Sequence, residues 1–347
     1  MKKIHALELF PEDIDEIIEE FKLPTYVGTQ VLDWIYKKQV ASTDEMTNIS
    51  KNVREIISSK IELRKATLIR EQRSSDGTKK QLLSWGIPKK ETETVMIPAK
   101  GRRTVCVSSQ IGCPVGCTFC ASGLNGLDGN LKAGQIVEQV VSLNANKITN
   151  VVFMGMGEPL ANYTNVTKAI RILNAKWGLG IGSRKITVST VGLPQAIERL
   201  AKFEIPITLA LSLHAPNDEI RKTLIPWAKF APIQEILHAC DIYFKNTGRE
   251  ITLEYLLLNG INDRVKHAKE LITLCKSLRC NVNLIRYNEV PSLPFIRPED
   301  KQVRIFQNIL AEGGVNSHIR ASRGRDIAAA CGQLKRQENQ ITIEEST

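Results

Sequence analysis

Residues 104–120 read Thr104-Val-Cys-Val-Ser-Ser-Gln-Ile-Gly-Cys113-Pro-Val-Gly-Cys117-Thr-Phe-Cys120. The stretch opens with a strand-like run and closes with three cysteines spaced Cys-x-x-x-Cys-x-x-Cys. Loops after parallel strands are where α/β sheets place their sites. Three thiolates from one short loop can wrap a cubic iron–sulfur cluster and bind three of its irons. The fourth iron then stays open for chemistry. Gly112 and Gly116 allow the tight backbone that such wrapping demands. A zinc knuckle is the bland alternative, but no further cysteine or histidine pair at knuckle spacing supplies its fourth ligand.

Outward from this loop, apolar runs alternate with helical segments. Strands are expected over 104–109, 150–155, 185–190, 206–213, 251–258 and 282–288. Helices are expected over 134–146, 163–174, 194–203, 232–246, 265–278 and 299–312. Several strand cores are nearly continuously apolar, as in a parallel sheet covered on both faces. Six βα units point to an α/β fold with the sheet curved into a partial barrel, although a flat doubly wound sheet gives the same alternation.

The region ahead of the barrel divides in two. Ile14, Ile17, Ile18 and Phe21 recur at helical spacing after Pro11, and further helices fit 25–38 and 44–60. From about 66 to 98 the pattern changes to three short strands, with Ser75-Asp76-Gly77 as a hairpin turn. The expected division is a helical accessory domain over 1–62, a basic β extension over 63–103, a barrel core over 104–334 and a polar tail over 335–347.

The 347 residues carry a formal charge of +10, unevenly spread. Residues 1–30 hold three lysines and seven acids, whereas residues 64–103 hold eleven Lys or Arg and four acids. A basic segment of that kind draws RNA through release of phosphate counterions, and equally fits an ordinary solvated face. No apolar run is long enough for a membrane span. Acids follow the basic N-terminus too soon for a signal peptide, so a cytoplasmic protein is expected. Eight cysteines in a chain of this size without an export signal argue for metal rather than disulfides.

The trio Cys113, Cys117 and Cys120, with Phe119 before the last, resembles the radical S-adenosylmethionine superfamily. That resemblance implies a partial (βα)6 barrel and a 4Fe–4S cluster whose open iron chelates S-adenosylmethionine. Cys106-Val-Ser-Ser-Gln-x-Gly-Cys113, Phe153-Met-Gly-Met-Gly-Glu-Pro-Leu160 and Asp326-Ile-x-Ala-Ala-Cys331-Gly-Gln-Leu334 narrow the likeness. Together they resemble the RlmN-type RNA adenine carbon-2 methyltransferases. By that resemblance Gly157, Glu158, Ser189, Ser212, Leu213, His214 and Asn288 contact S-adenosylmethionine. Cys331 carries the methyl group as S-methylcysteine, Cys106 resolves through a transient disulfide with Cys331, and Glu93 accepts a proton.

The chemistry explains that set. Carbon-2 of adenine lies between two ring nitrogens and is too electron-poor to attack a methyl sulfonium. A thiolate can take the methyl group instead. A second S-adenosylmethionine, cleaved at the cluster, activates that methyl group, so two are used per turnover. A base must then remove the carbon-2 proton, and a second thiol must release the product. The resemblance further implies 23S rRNA and tRNA as substrates, an electron donor such as flavodoxin or ferredoxin, no membrane, and a monomer. The nearest rival is a Cfr-like adenine carbon-8 methyltransferase; Pro159 favours carbon-2, since carbon-8 relatives tend to have Ala there. A rival from another class is a non-catalytic RNA-binding protein with a structural metal. The chain departs from the family at Gly129, where an arginine is usual, and at Arg325, where acids are usual. Without the motifs, Cys106, Cys331, Cys240, Cys275 and Cys280 all read as small buried hydrophobes.

Overall fold

The computed structural model describes residues 3–86, 90–143 and 148–334. The polar tail 335–347 and the end of the helix expected over 134–146 lie outside the described residues.

The front of the chain is helical: α1 (Pro11–Glu20), α2 (Tyr26–Leu32) and α3 (Lys51–Lys60). Pro11 occupies the first turn of α1, where its missing N–H costs nothing, and Asp13 accepts the Phe10 N–H at 2.7 Å. The apolar stripe buries Ile14, Ile17 and Ile18. The helix expected over 25–38 continues past α2 as a π-helical turn, Asp33–Lys37, which buries Trp34, Ile35 and Tyr36. The helix expected over 44–60 is broken. Glu45 turns back to accept the Ala41 and Ser42 N–H groups, both at 2.9 Å, closing a short turn at Thr43–Glu45. Asn48 then accepts the Trp34 indole N–H at 2.5 Å, and α3 begins only at Lys51. Side chains that bond to nearby backbone stop helices, and apolar spacing alone does not register them.

A short parallel pair, β1 (Ile4–His5) with β2 (Ile61–Glu62), joins the two ends of this helical front. Then follow β3 (Thr67–Arg73), β4 (Lys79–Ser84) and β5 (Glu91–Ala99), antiparallel and continuous with β6 (Arg102–Cys106). A small hairpin, β7 (Gln110–Gly112) with β8 (Leu127–Asn130), brackets the three cysteines. The remaining strands are β9 (Asn150–Phe153), β10 (Ile186–Thr190), β11 (Thr208–Ser212), β12 (Ile251–Leu257), β13 (Cys280–Arg286) and β14 (Ser317–Arg320). Helices α4 (Ala133–Ser142), α5 (Tyr163–Asn174), α6 (Pro194–Leu200), α7 (Asp218–Leu224), α8 (Ile233–Thr247), α9 (Val265–Lys276) and α10 (Asp300–Glu312) connect them. His5 reaches from β1 to Glu138 of α4 at 3.1 Å, docking the front onto the barrel.

One ten-stranded sheet runs in the order β14-β13-β12-β11-β10-β9-β6-β5-β4-β3. From β6 to β14 every neighbour is parallel. Thr104 near one end of that parallel run and Arg320 at the other line one cavity, so the sheet curls into a partial barrel. It has one parallel strand more than the six expected. Strand β14 is short, lies at the edge and reads Ser-His-Ile-Arg, with no apolar run to announce it. Side chains alternate along the strands. Val105, Val151, Val188, Leu209 and Leu253 belong to the main core, while Thr104, Asn150, Thr187, Thr208 and Thr252 line the barrel interior.

Candidate active site

The cysteine loop is shaped by backbone that tolerates no side chain at one point. Gly112 has φ +75°, and a Cβ there would lie 2.0 Å from the Gly126 carbonyl oxygen. That carbonyl accepts the Cys113 N–H at 2.9 Å, closing the β7–β8 hairpin over the loop. Cys113, Cys117 and Cys120 all face one cleft. Burial pushes the Cys113 thiol up to about 12, and it also raises Cys117 and Cys120. Cys120 raises the Cys113 thiol further, and both of them raise Cys117, which places the three within electrostatic reach. Buried thiols held together are costly to ionise without a cation, and a bound metal supplies that charge. Among the described residues no three His, Cys, Asp or Glu side chains converge as a single ion requires. A cubic cluster takes each thiolate on a different iron and so needs them further apart. The donor set fits a cluster.

The ends of the following strands build the rest of the cleft. Gly157 and Glu158 follow β9, Ser189 belongs to β10, and Ser212 and His214 come from β11 and the loop after it; all five line the cleft. Ser189 and Ser212 hydroxyls are 3.0 Å apart. Glu158 spends its carboxylate on backbone: Oε1 accepts the Leu160 N–H at 3.0 Å and Oε2 the Val191 N–H at 2.9 Å. It thereby ties the loop after β9 to the loop after β10, and burial pushes its pKa up to about 7. His214 has φ +56°, and its Nδ1 accepts the Leu256 N–H at 3.1 Å. Burial, with Arg221 nearby, pushes its pKa down to about 3, so the ring is neutral with its proton on Nε2, a donor. Its edge meets Phe119 at 5.2 Å between ring centroids.

Two expected cofactor contacts do not line this cleft. The Leu213 side chain is buried in the core and does not line the cleft. Asn288 lines a second cavity that occupies the barrel interior. Its Nδ2 donates to the Cys331 carbonyl at 3.3 Å, and its buried Oδ1 finds no partner among the described residues.

Cys331 is exposed and lines both cavities. Cys106 is buried at the end of β6 and lines the second. Burial and then the nearby Cys331 push the Cys106 thiol up to about 12, so the two sulfurs feel one another. Glu93 lines neither cavity; it lies on β5, buried, 2.8 Å from the Lys80 ammonium. The structure thus brings the three expected catalytic residues to one region, and Lys80 with them.

Other residues carried no sequence signal. Arg221 of α7 is almost fully buried and donates to the carbonyls of Leu213 at 3.2 Å, Ser212 at 3.4 Å and Val191. It fastens the loops after β10 and β11, and burial lowers its pKa to about 10. Glu254 and Arg320 line both cavities, 3.2 Å apart, with Asn283 donating to Glu254 at 2.9 Å. The nearby Cys331 comes first in holding Arg320 above its usual range. Only their shared inward alternation on β12 and β14 could have found them.

The sequence profile of the radical SAM superfamily matches residues 107–272. That of the ribosomal RNA large subunit methyltransferase N-terminal domain matches residues 5–63. A probable dual-specificity RNA methyltransferase RlmN of Dictyoglomus turgidum is 42% identical over 341 residues, covering 96% of this chain and 97% of its own. A probable dual-specificity RNA methyltransferase RlmN 2 of Protochlamydia amoebophila is 46% identical over 318 residues, covering 90% and 88%. The crystal structure of a radical SAM methyltransferase from Sphaerobacter thermophilus superposes with a TM-score of 0.93 at 40% identity, covering 96% of this chain and 100% of the other. With likeness of that degree running through both the accessory region and the barrel, the chain belongs to the RlmN family of radical SAM methyltransferases.

Proposed function

We propose that this chain methylates carbon-2 of an adenosine in 23S rRNA, and of one in tRNA, through a methyl group carried on Cys331. The observation that carries the reading is the position of Cys331. It is one exposed thiol at the junction of a cleft holding three half-buried cysteines and a polar interior cavity holding Cys106. A carrier must meet the methyl source on one side and the acceptor base on the other, and Cys331 borders both spaces. The large-subunit ribosomal RNA description of the N-terminal profile supports rRNA, and the dual-specificity name of the relatives supports a second RNA.

Cys113, Cys117 and Cys120 would hold the 4Fe–4S cluster, with S-adenosylmethionine against Gly157, Glu158, Ser189, Ser212, the Leu213 backbone, His214 and Asn288. When bound, cluster and cofactor supply the methyl group, an electron and the hydrogen-abstracting radical, two cofactor molecules serving each turnover. The remaining work falls to side chains. Cys331 accepts the methyl group as a thioether and later joins carbon-2 through it. Glu93 takes the carbon-2 proton. Cys106 attacks the Cys331 sulfur: the S–S bond forms as the S–C bond breaks, and the carbon keeps the electron pair and takes a proton to become methyl. The target adenosine must leave its stack to reach the interior cavity, whose hydroxyls and amides suit a polar base edge. The basic extension and helical front would grip the folded RNA. A flavodoxin or ferredoxin donor, a monomeric state, cytoplasmic location and the division at 62, 103 and 334 belong to the same reading. Among the described residues no helix is long and apolar enough to cross a membrane.

The test is anaerobic turnover with methyl-labelled S-adenosylmethionine and unmodified rRNA and tRNA, followed by mass spectrometry of nucleosides. The expected product is 2-methyladenosine; 8-methyladenosine would transfer the chain to the carbon-8 reading, and stoichiometric zinc without iron or sulfide to the binding-protein reading. Cys331→Ala is expected to lower methyl transfer by at least ~10³-fold while iron and sulfide per chain stay unchanged. Full activity in that variant would remove the carrier.

A further inference from the structure

The proposed base and the proposed carrier are joined by one side chain. In the β4–β5 register Lys80 faces Val95 and Leu82 faces Glu93, so Lys80 and Glu93 are diagonal neighbours on one sheet face. Val95 in turn faces Cys106 across β5–β6, which adds Cys106 to that face. There Val95 and Cys106 pack with Ala329 and Leu334, on either side of Cys331 in the chain. A single face therefore presents base, resolving thiol and lysine to the loop that bears the carrier.

Lys80 makes two contacts across this junction. Its ammonium lies 2.8 Å from Glu93 Oε1, with both side chains sealed from solvent at 6% and 2% exposure. It also donates to the Ala328 carbonyl at 3.1 Å, three residues before Cys331. Ala328 has φ +50°, a conformation that a residue with a Cβ keeps only when its surroundings impose it. Nearby, two carboxylates interlock the hairpin turn with the same loop. Asp326 accepts from Ser74 Oγ at 2.6 Å and Ser75 N–H at 3.1 Å, and Asp76 accepts the Gly324 N–H at 3.0 Å.

A buried carboxylate can serve as a base only if it is ionised, and burial alone favours its protonated form. An ammonium in contact reverses that preference and fixes the direction of one oxygen. A lysine serving Glu93 alone would have its other donors free for any acceptor. Here one goes to the backbone of the carrier loop, so one side chain reaches both the base and the carrier loop. We propose that Lys80 is a positioning residue which keeps Glu93 ionised and, through the Ala328 carbonyl, holds the Cys331 loop in register with it. This rests on Glu93 as proton acceptor and Cys331 as carrier. In the step concerned, the adduct radical gives up one electron to the electron carrier and its carbon-2 proton to the Glu93 carboxylate, and the electron pair of that C–H bond returns to the ring.

The experiment compares full-length, cluster-loaded Glu93→Gln, Lys80→Met, Lys80→Arg and the double variant Lys80→Met/Glu93→Gln. Methyl-Cys331 is read by protein mass spectrometry and the RNA–protein adduct by denaturing gel. Lys80→Met is expected to form methyl-Cys331 normally and to accumulate adduct, with kcat falling about 100-fold and KM for RNA within about 2-fold. Lys80→Arg, which keeps charge and donors, is expected to recover to within about 5-fold of the parent. The double variant is expected to match Glu93→Gln, because both the charge and the loop register that the lysine supplies serve proton transfer to that one carboxylate. In protein stripped of iron, Lys80→Met is expected to change the alkylation rate of Cys331 by iodoacetamide at least ~3-fold, the loop having lost its tether. Adduct in Glu93→Gln with normal release in Lys80→Met overturns the role of Lys80 alone. Normal release in Glu93→Gln overturns the base and this proposal with it. If Lys80→Met does not fold, the charge-balanced double variant and Lys80→Arg decide, and a double variant markedly worse than Glu93→Gln overturns the proposal.

Discussion

The two cavities that meet at Cys331 are walled in different ways. The cleft that faces the three cysteines is made of loops after strands, each held by backbone: Gly126 to Cys113, Glu158 to Val191, Arg221 to the Leu213 carbonyl. The interior cavity is made of strand bodies, with Thr104, Thr187, Thr208 and Thr252 pointing inward where a closed barrel would pack branched apolar side chains. The first wall must keep an exact shape for a cluster and a cofactor. The second must keep space and hydrogen-bonding capacity for an incoming base. Rigidity belongs to one and emptiness to the other, and substitutions in the two are expected to fail differently.

The largest effect is expected where the backbone of the cleft admits no side chain. Gly112→Ala would place a methyl group 2.0 Å from the Gly126 carbonyl oxygen at φ +75°. Strain of that kind costs on the order of 1–3 kcal/mol before any clash is counted, and the hairpin must open to relieve it. The cysteine loop opens with it. Iron and sulfide per chain are expected to fall below about a tenth of the parent value, abolishing turnover, while circular dichroism of the barrel stays close to the parent. A fully loaded Gly112→Ala variant would show that the hairpin does not set the cluster loop.

The interior is expected to respond more mildly and more selectively. Thr208→Leu with Thr252→Leu fills the cavity with branched side chains of the kind closed barrels use. The cysteine cleft does not include either position. Binding of S-adenosylmethionine is therefore expected to stay within about 2-fold, while kcat/KM for RNA falls about 10–100-fold. Equal losses in cofactor binding and RNA turnover would erase the distinction between the walls. Unchanged RNA turnover would show that the base does not enter this space.

The same contrast explains what was legible beforehand. The cleft was readable because its parts are contiguous motifs: the cysteine trio, Gly-Met-Gly-Glu-Pro and the cysteine near the C-terminus each lie in one short stretch. The interior was not, because Glu254, Arg320 and the threonines are single residues on separate strands, united only by side-chain alternation and sheet order. Strand β14 was missed for a related reason, since four residues at a sheet edge need no apolar run. Glu93 was picked out by resemblance, but its lysine, thirteen positions earlier on a neighbouring strand, becomes visible only once the β4–β5 register is known. The break between Thr43–Glu45 and α3 escaped because Glu45 bonds back to the Ala41 and Ser42 N–H groups and Asn48 reaches across to the Trp34 indole, in a stretch that otherwise keeps helical spacing.

The smallest effect is expected at Gly129, where the family usually carries an arginine. Gly129 sits on β8 opposite Ile111, and a Cβ there would meet nothing within 4 Å. Nothing in the packing requires glycine, which in a strand costs roughly 0.5–1 kcal/mol relative to a residue with a side chain. Gly129→Arg is thus expected to leave cluster content unchanged and to raise the melting temperature by about 1 °C. Because β8 flanks the cysteine loop, the added guanidinium has one further consequence if RNA passes over that hairpin. The salt dependence of RNA binding would steepen by about one phosphate contact, which a titration of affinity against salt concentration measures directly. An unchanged slope would place the RNA path away from β8, leaving the extension and helical front to hold it.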